Sequence, residues 1–151
     1  MRYEGGYSNV WGDTGGETKY GISHKAYPNI DIVHLTKEQA EVIYKRDYWD
    51  KICGDFLRQP LALTLFDFAV NSGVDRVTRE VQKTLGLRCD GIFGSKTLMT
   101  LQDLDDKEAK DLVDKINDTR LQLYVNLASN PTQRRFLLGW LRRLMALQRE
   151  V

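Results

Sequence analysis

The sequence predicts a mainly helical α+β protein, a helical bundle with one small β-hairpin near its N-terminus. Three observations carry that expectation. After residue 35 the apolar residues recur at helical spacing almost to the end of the chain. One run, "LALTLFDFAV" (Leu61 to Val70), is apolar nearly all round, as a helix at the centre of a fold must be. The opening breaks the pattern: Tyr3 to Ile22 holds six of the chain's twelve glycines.

The elements follow in order. Asp13, Gly15 and Gly16 are turn formers, and "ETKYGI" beyond them has the Thr, Tyr and Ile content of a short strand, which together read as a hairpin. Thr36 and Gln39 form a capping-box pair opening a helix through "KEQAEVIYKRDYW". Pro60 suits the first position of the central helix, which "NSG" (Asn71 to Gly73) ends. Asp75 is placed to cap the next helix, with Val77, Val81 and Leu85 on one face and Gly86 as its stop. The turn-rich "RCDGIFGSKT" leads into "LMTLQ". A long helix from about Lys107 carries Leu112, Ile116, Leu123 and Leu127. Asn130 and Pro131 start the last one, with Phe136, Leu137, Trp140, Leu141 and Leu144 on one side.

At 151 residues the chain suits one compact unit, which should bury roughly two-thirds of its unfolded surface. A weak division near residues 72–75 suggests two lobes, 1–73 and 74–151, packed together. Basic and acidic residues nearly cancel, 22 against 21, so the total charge favours neither nucleic acid nor membrane insertion. Two cysteines, Cys53 and Cys89, read as buried thiols, with an intramolecular disulfide left open. With only two histidines, no metal site is expected. No stretch approaches the roughly 20 apolar residues of a membrane span, and "MRYEGG" has no apolar core for a signal peptide. A monomer is assumed.

Glu4 and Asp13 stand nine residues apart in the glycine-rich opening, and Thr18 five further on. Cleaving a glycosidic bond commonly takes two acidic functions, one to protonate the leaving group and one to activate water or stabilise positive charge. Glu4 fits the donor if Tyr3 and Tyr7 desolvate it, Asp13 would stay ionised on its polar turn, and the Thr18 hydroxyl could hold water. Glycines let a bulky polymer approach the backbone, and Trp11 and Tyr20 offer flat faces to sugar rings. The plainer alternative is a solvated terminal glutamate and an ordinary Asp-x-Gly-Gly turn.

The run "EGGYSN…DTGGETKYGIS" resembles the opening signature of glycoside hydrolase family 108, the bacterial and phage N-acetylmuramidases also labelled secretion activators. "LTKEQAEVIYKRDYWDKI" and "LFDFAVNSG" are similar to the family's next blocks. "VQKTLG…DGIFGSKTL" resembles the peptidoglycan-binding lobe that often follows, and "RLQLY" and "GWLRR" its closing helices. The resemblance implies a lysozyme-like fold with the hairpin beside the cleft, and peptidoglycan glycan strands as the partner. It also implies cleavage between N-acetylmuramic acid and N-acetylglucosamine on the bacterial cell wall, periplasmic or phage-delivered, with no cofactor.

By that resemblance Glu4 is the general acid and Asp13 and Thr18 match the family's Asp and Thr. Tyr20, Gly21 and Asn71 are expected at the substrate, with Asn71 and Ser72 bordering the cleft or, alternatively, only ending a helix. In relatives an apolar helix precedes the EGG motif. Here Met1, Arg2 and Tyr3 are too few for a helical turn, so a shortened form or a less supported acid is expected. Two other readings stay open: a lytic transglycosylase, and a non-catalytic wall-binding or secretion-assisting module.

Trp49, Trp140 and the tyrosines of "IYKRDYW" are expected in the core, and "DGIFG" either grips the wall or holds Phe93 inward. Arg134, Arg135, Arg142, Arg143 and Arg149 face one Glu after Pro131, a solvated face that would favour an anionic wall.

Overall fold

A computed structural model of the chain describes residues 17–150. The chain divides into two units, Met1–Asp47 and Tyr48–Val151. In the first, strands β1 (Thr18–Lys19) and β2 (Ile22–Ser23) pair antiparallel, with Thr18 opposite Ser23 and Lys19 opposite Ile22. Where the sequence predicts a single strand in "ETKYGI", residues 18–23 thus supply both strands of the two-stranded sheet found among the described residues. Tyr20 and Gly21 both take positive φ, 52° and 77°, and a two-residue turn of that kind matches the natural twist of a hairpin.

Helix α1 (Lys37–Tyr44) opens on the expected capping box. The Thr36 hydroxyl accepts from the Gln39 N–H at 3.2 Å, and the Gln39 side chain accepts from the Thr36 N–H at 2.9 Å, which satisfies two otherwise orphaned donors. Ala40, Ile43 and Tyr44 are its buried face. The helical path continues as a wider π turn, Lys45–Trp49.

The second unit is built around α2 (Leu61–Ser72), whose residues Leu61, Ala62, Leu65, Phe68 and Ala69 are wholly inaccessible to solvent. Pro60 stands just before the helix as its cap, one position earlier than expected. Gly73 ends it at φ 89° and at once precedes α3 (Val74–Thr84). Asp75 is consequently inside the first turn of α3 and does not cap it; its carboxylate takes Arg79 one turn on, at 3.0 Å. Val77 and Val81 of α3 are buried, as their spacing implies.

Helix α4 (Ser95–Asp103) leads to α5 (Asp106–Ala128), which opens on a second capping box between Asp105 and Glu108. Leu112 and Ile116 of α5 are buried as expected, but Leu127 is exposed, and Arg120, Tyr124 and Ala128 complete the inner face instead. The helix expected from Pro131 is two: α6 (Pro131–Arg134), capped by the Asn130 side chain, and α7 (Leu137–Glu150). The interruption leaves Phe136 exposed and lets Trp140 stack on Tyr124 with ring centroids 5.3 Å apart.

Trp49 packs edge-on against Phe66, and Gly54 lies directly under its indole, where no side chain would fit. Both cysteines are free thiols; Cys89 is exposed and Cys53 half-buried, so neither is the buried thiol expected. Among the described residues no helix is long and apolar enough to cross a membrane, and no cluster of side chains could hold a metal.

Candidate active site

Three of the residues expected at the site share the hairpin: Thr18 in β1, and Tyr20 and Gly21 in its turn. A tyrosine at positive φ is strained by its own Cβ, so the turn needs outside support. It comes from α1, where the Tyr44 hydroxyl donates to the Tyr20 carbonyl oxygen at 3.0 Å. That oxygen-to-backbone contact leaves no room for a side chain at residue 21, where a Cβ would lie 2.6 Å from Tyr44 Oη. Gly21 is thus required twice, by its φ and by the hydroxyl beneath it. Lys19 Nζ donates to the Val33 carbonyl at 2.8 Å and lies 5.7 Å from the Tyr20 ring centre. Ile22 is buried to 2% exposure and anchors the hairpin. Thr18 therefore sits half-exposed on a braced strand.

Tyr27 donates to Asp47 Oδ2 at 2.9 Å, and Asp47 also holds Arg46 at 2.6 Å. The Asp31 carboxylate accepts from the His34 N–H and meets its ring Nδ1 at 2.8 Å; the bond to the His34 side chain, then that to its backbone, holds the Asp31 carboxyl below the usual aspartate range. An open recess of about 430 Å³ beside this pair is floored by Ile30, Leu35, Val42 and Ile43. Thr18, Tyr20 and Gly21 are not among its lining.

Asn71 lies in the other unit, exposed in the last turn of α2. Its amide nitrogen donates to the Asp67 carbonyl at 2.8 Å and to Asp67 Oδ2 at 3.3 Å. Asp67 is almost fully buried. Arg120 Nη2 donates to its Oδ2 at 2.5 Å and Arg143 Nε to its Oδ1 at 2.8 Å. Arg120 is wholly buried, lies 5.2 Å from the Phe68 ring centre, and also donates to the Tyr124 hydroxyl at 3.2 Å. Its Nε and Nη1 are buried with no hydrogen-bond partner among the described residues. The signal for this network was one carboxylate inside an otherwise apolar helix, because a buried charge needs a partner. Periodicity did not identify that partner.

"DGIFG" is a held turn. Gln82, 2% exposed, accepts from the Gly91 N–H at 3.0 Å and donates to Asp90 Oδ1 at 2.8 Å and to the Ile92 carbonyl at 3.1 Å. Arg79 donates to the Cys89 carbonyl at 2.7 Å. Phe93 is only half-buried and Ile92 is exposed. The basic C-terminal face is not simply solvated either, since Arg143 turns inward to Asp67 and Arg135 lies 4.7 Å from the Phe136 ring centre.

Glu4 and Asp13, with Tyr3, Tyr7 and Trp11, lie outside the described residues.

Comparison with known proteins adds the rest. Residues 1–73 match the family model described as Glycosyl hydrolase 108, and residues 76–145 match that of a Predicted Peptidoglycan domain. A solved structure of Brucella abortus SagA is similar at 31% identity with a TM-score of 0.80, over 97% of this chain and 86% of that one. Among the curated proteins no sequence matches.

Proposed function

The chain belongs to the glycosyl hydrolase 108 family and joins it to a peptidoglycan domain, and from that premise we propose that it is a peptidoglycan N-acetylmuramidase. The observation that carries the reading is the extent of the family match. The matched residues 1–73 include Glu4, Asp13 and Thr18, in the Glu–Asp–Thr order that the family resemblance implies. Family and domain together support peptidoglycan as partner and an extracytoplasmic place of action.

In the proposed reaction Glu4 protonates the glycosidic oxygen between N-acetylmuramic acid and N-acetylglucosamine. Asp13 orients water or stabilises the developing positive charge, and Thr18 holds the water by its hydroxyl. The braced hairpin supports that last role, because a positioning hydroxyl is useful only on a rigid element. Tyr20 offers its ring to a sugar face, Gly21 allows close approach, and Asn71 offers its amide. Single-step inversion is proposed by analogy with phage-type lysozymes; it calls for about 6.5–9.5 Å between the Glu4 and Asp13 carboxyls, against about 5 Å for a covalent intermediate. Residues 1–73 act as the catalytic lobe and 74–151 as the wall-directed lobe.

The peptidoglycan domain alone would also suit a binder without cleavage. Digestion of purified peptidoglycan separates the readings. Reducing muramic-acid ends, falling about 10²-fold or more in Glu4→Gln, support the muramidase and its acid. Anhydro ends indicate a lytic transglycosylase, and binding without new ends a non-catalytic module.

A further inference from the structure

The buried carboxylate of Asp67 joins the two family-matched segments. Asp67 and Asn71 belong to the stretch matching the hydrolase family, and Arg120 and Arg143 to the stretch matching the peptidoglycan domain. The ion pairs span 53 and 76 residues of sequence. We propose that Asp67, Arg120 and Arg143 form a positioning device for Asn71, by which the peptidoglycan-domain segment sets the sugar-binding amide at the end of α2. The proposal rests on the reading of Asn71 as a ligand contact.

The chain of contacts is continuous. Asn71 sends both of its amide N–H bonds inward, to the Asp67 carbonyl and carboxylate. That leaves Oδ1 as the atom available to accept from a sugar hydroxyl or acetamido N–H. The Asp67 carbonyl holds one N–H at 2.8 Å, and Oδ2 of Asp67 at 3.3 Å fixes the rotation of the amide about that bond. The amide's orientation therefore follows the carboxylate, which one guanidinium on each oxygen holds. Arg120 reaches Oδ2 from the dry interior. Arg143, whose side chain is 45% exposed, reaches Oδ1 from the rim. Remove Arg143 and the carboxylate can rotate about its remaining partner, taking the bond to Asn71 with it. A buried network of this kind behaves as a unit, so the effect passes through Asn71.

The test uses the full chain carrying Glu4→Gln, so that binding is read without hydrolysis. The probe is glycan strands stripped of their stem peptides by an amidase. Dissociation constants are measured for this parent, Asn71→Ala, Arg143→Gln, Arg143→Lys and the Asn71→Ala/Arg143→Gln double variant, each first shown to be folded by circular dichroism. Asn71→Ala and Arg143→Gln are each expected to weaken binding about 3- to 10-fold, and the double variant to bind within about 1.5-fold of Asn71→Ala. Arg143→Lys, which keeps a cation against Oδ1, recovers part of the loss.

If the losses multiply in the double variant, Arg143 touches the strand itself and the positioning role is overturned. If Arg143→Gln binds like the parent while Asn71→Ala does not, the device is likewise rejected and the Asn71 reading stands. If Asn71→Ala binds like the parent, the Asn71 reading fails and the proposal falls with it.

Discussion

The Tyr44 hydroxyl both supports and restricts the Tyr20–Gly21 turn: it bonds the Tyr20 carbonyl at 3.0 Å and occupies the space a residue-21 side chain would need. One atom therefore ties α1 to the hairpin that carries Thr18. Tyr44→Phe should cost about 1–2 kcal/mol by leaving that carbonyl without its donor. Gly21→Ala should cost more, from the positive φ and the overlap together. With Tyr44→Phe present the overlap disappears, since the next atom is 3.9 Å away, so Gly21→Ala should then cost about 0.5–2 kcal/mol less. Urea denaturation of the four proteins checks this, and strict additivity would contradict it.

Asp67 is the charge whose loss the fold should feel most. Asp67→Asn leaves the wholly buried Arg120 guanidinium without its counter-ion, a change of about 3–5 kcal/mol. Asp67→Leu with Arg120→Met removes both charges and should be distinctly more stable than Asp67→Asn. Chemical denaturation of both variants decides the point. A double variant no better than the single one would mean that the ion pair contributes more than desolvation costs it.

Gly54 lies against the Trp49 indole, which itself packs on Phe66. Gly54→Ala should push the ring off Phe66 at a cost of about 1–3 kcal/mol. Near-ultraviolet circular dichroism reads the displacement directly. An unchanged aromatic spectrum with unchanged stability would show that the turn yields instead.

Asp90 accepts from the Ile92 N–H at 2.9 Å and from the Gln82 amide at 2.8 Å, and these bonds, the Ile92 bond foremost, hold its carboxyl below its ordinary value of 3.8. The folded value is the lower one, so this contribution is complete above the unfolded value near 3.8 and is lost as pH falls through the folded value. The Gly91 and Ile92 amide resonances should titrate with a midpoint below 3.8, and Asp90→Asn should abolish that titration. A midpoint at or above the ordinary value would refute the held turn.

Sequence by itself determined what depends on neighbours within about one helical turn. The Thr36–Gln39 box, the all-round burial of α2 and the Gly73 and Gly86 stops are each a few residues of periodicity and backbone preference. The ordered blocks from "EGG" to "GWLRR" also named the family, because residue type and order survive without any coordinates. The expected capping role of Asp75 fails at the same local level: after the one-glycine link at Gly73, α3 starts at Val74, so Asp75 is already in its first turn and within reach of Arg79.

Tertiary structure alone decided the partnerships. Nothing local joins Tyr44 to Tyr20, Gln82 to the Gly91 turn, or Asp67 to arginines 53 and 76 residues away. Those pairs form because burial leaves each polar atom only the partner that packing brings to it, and packing is a property of the whole chain.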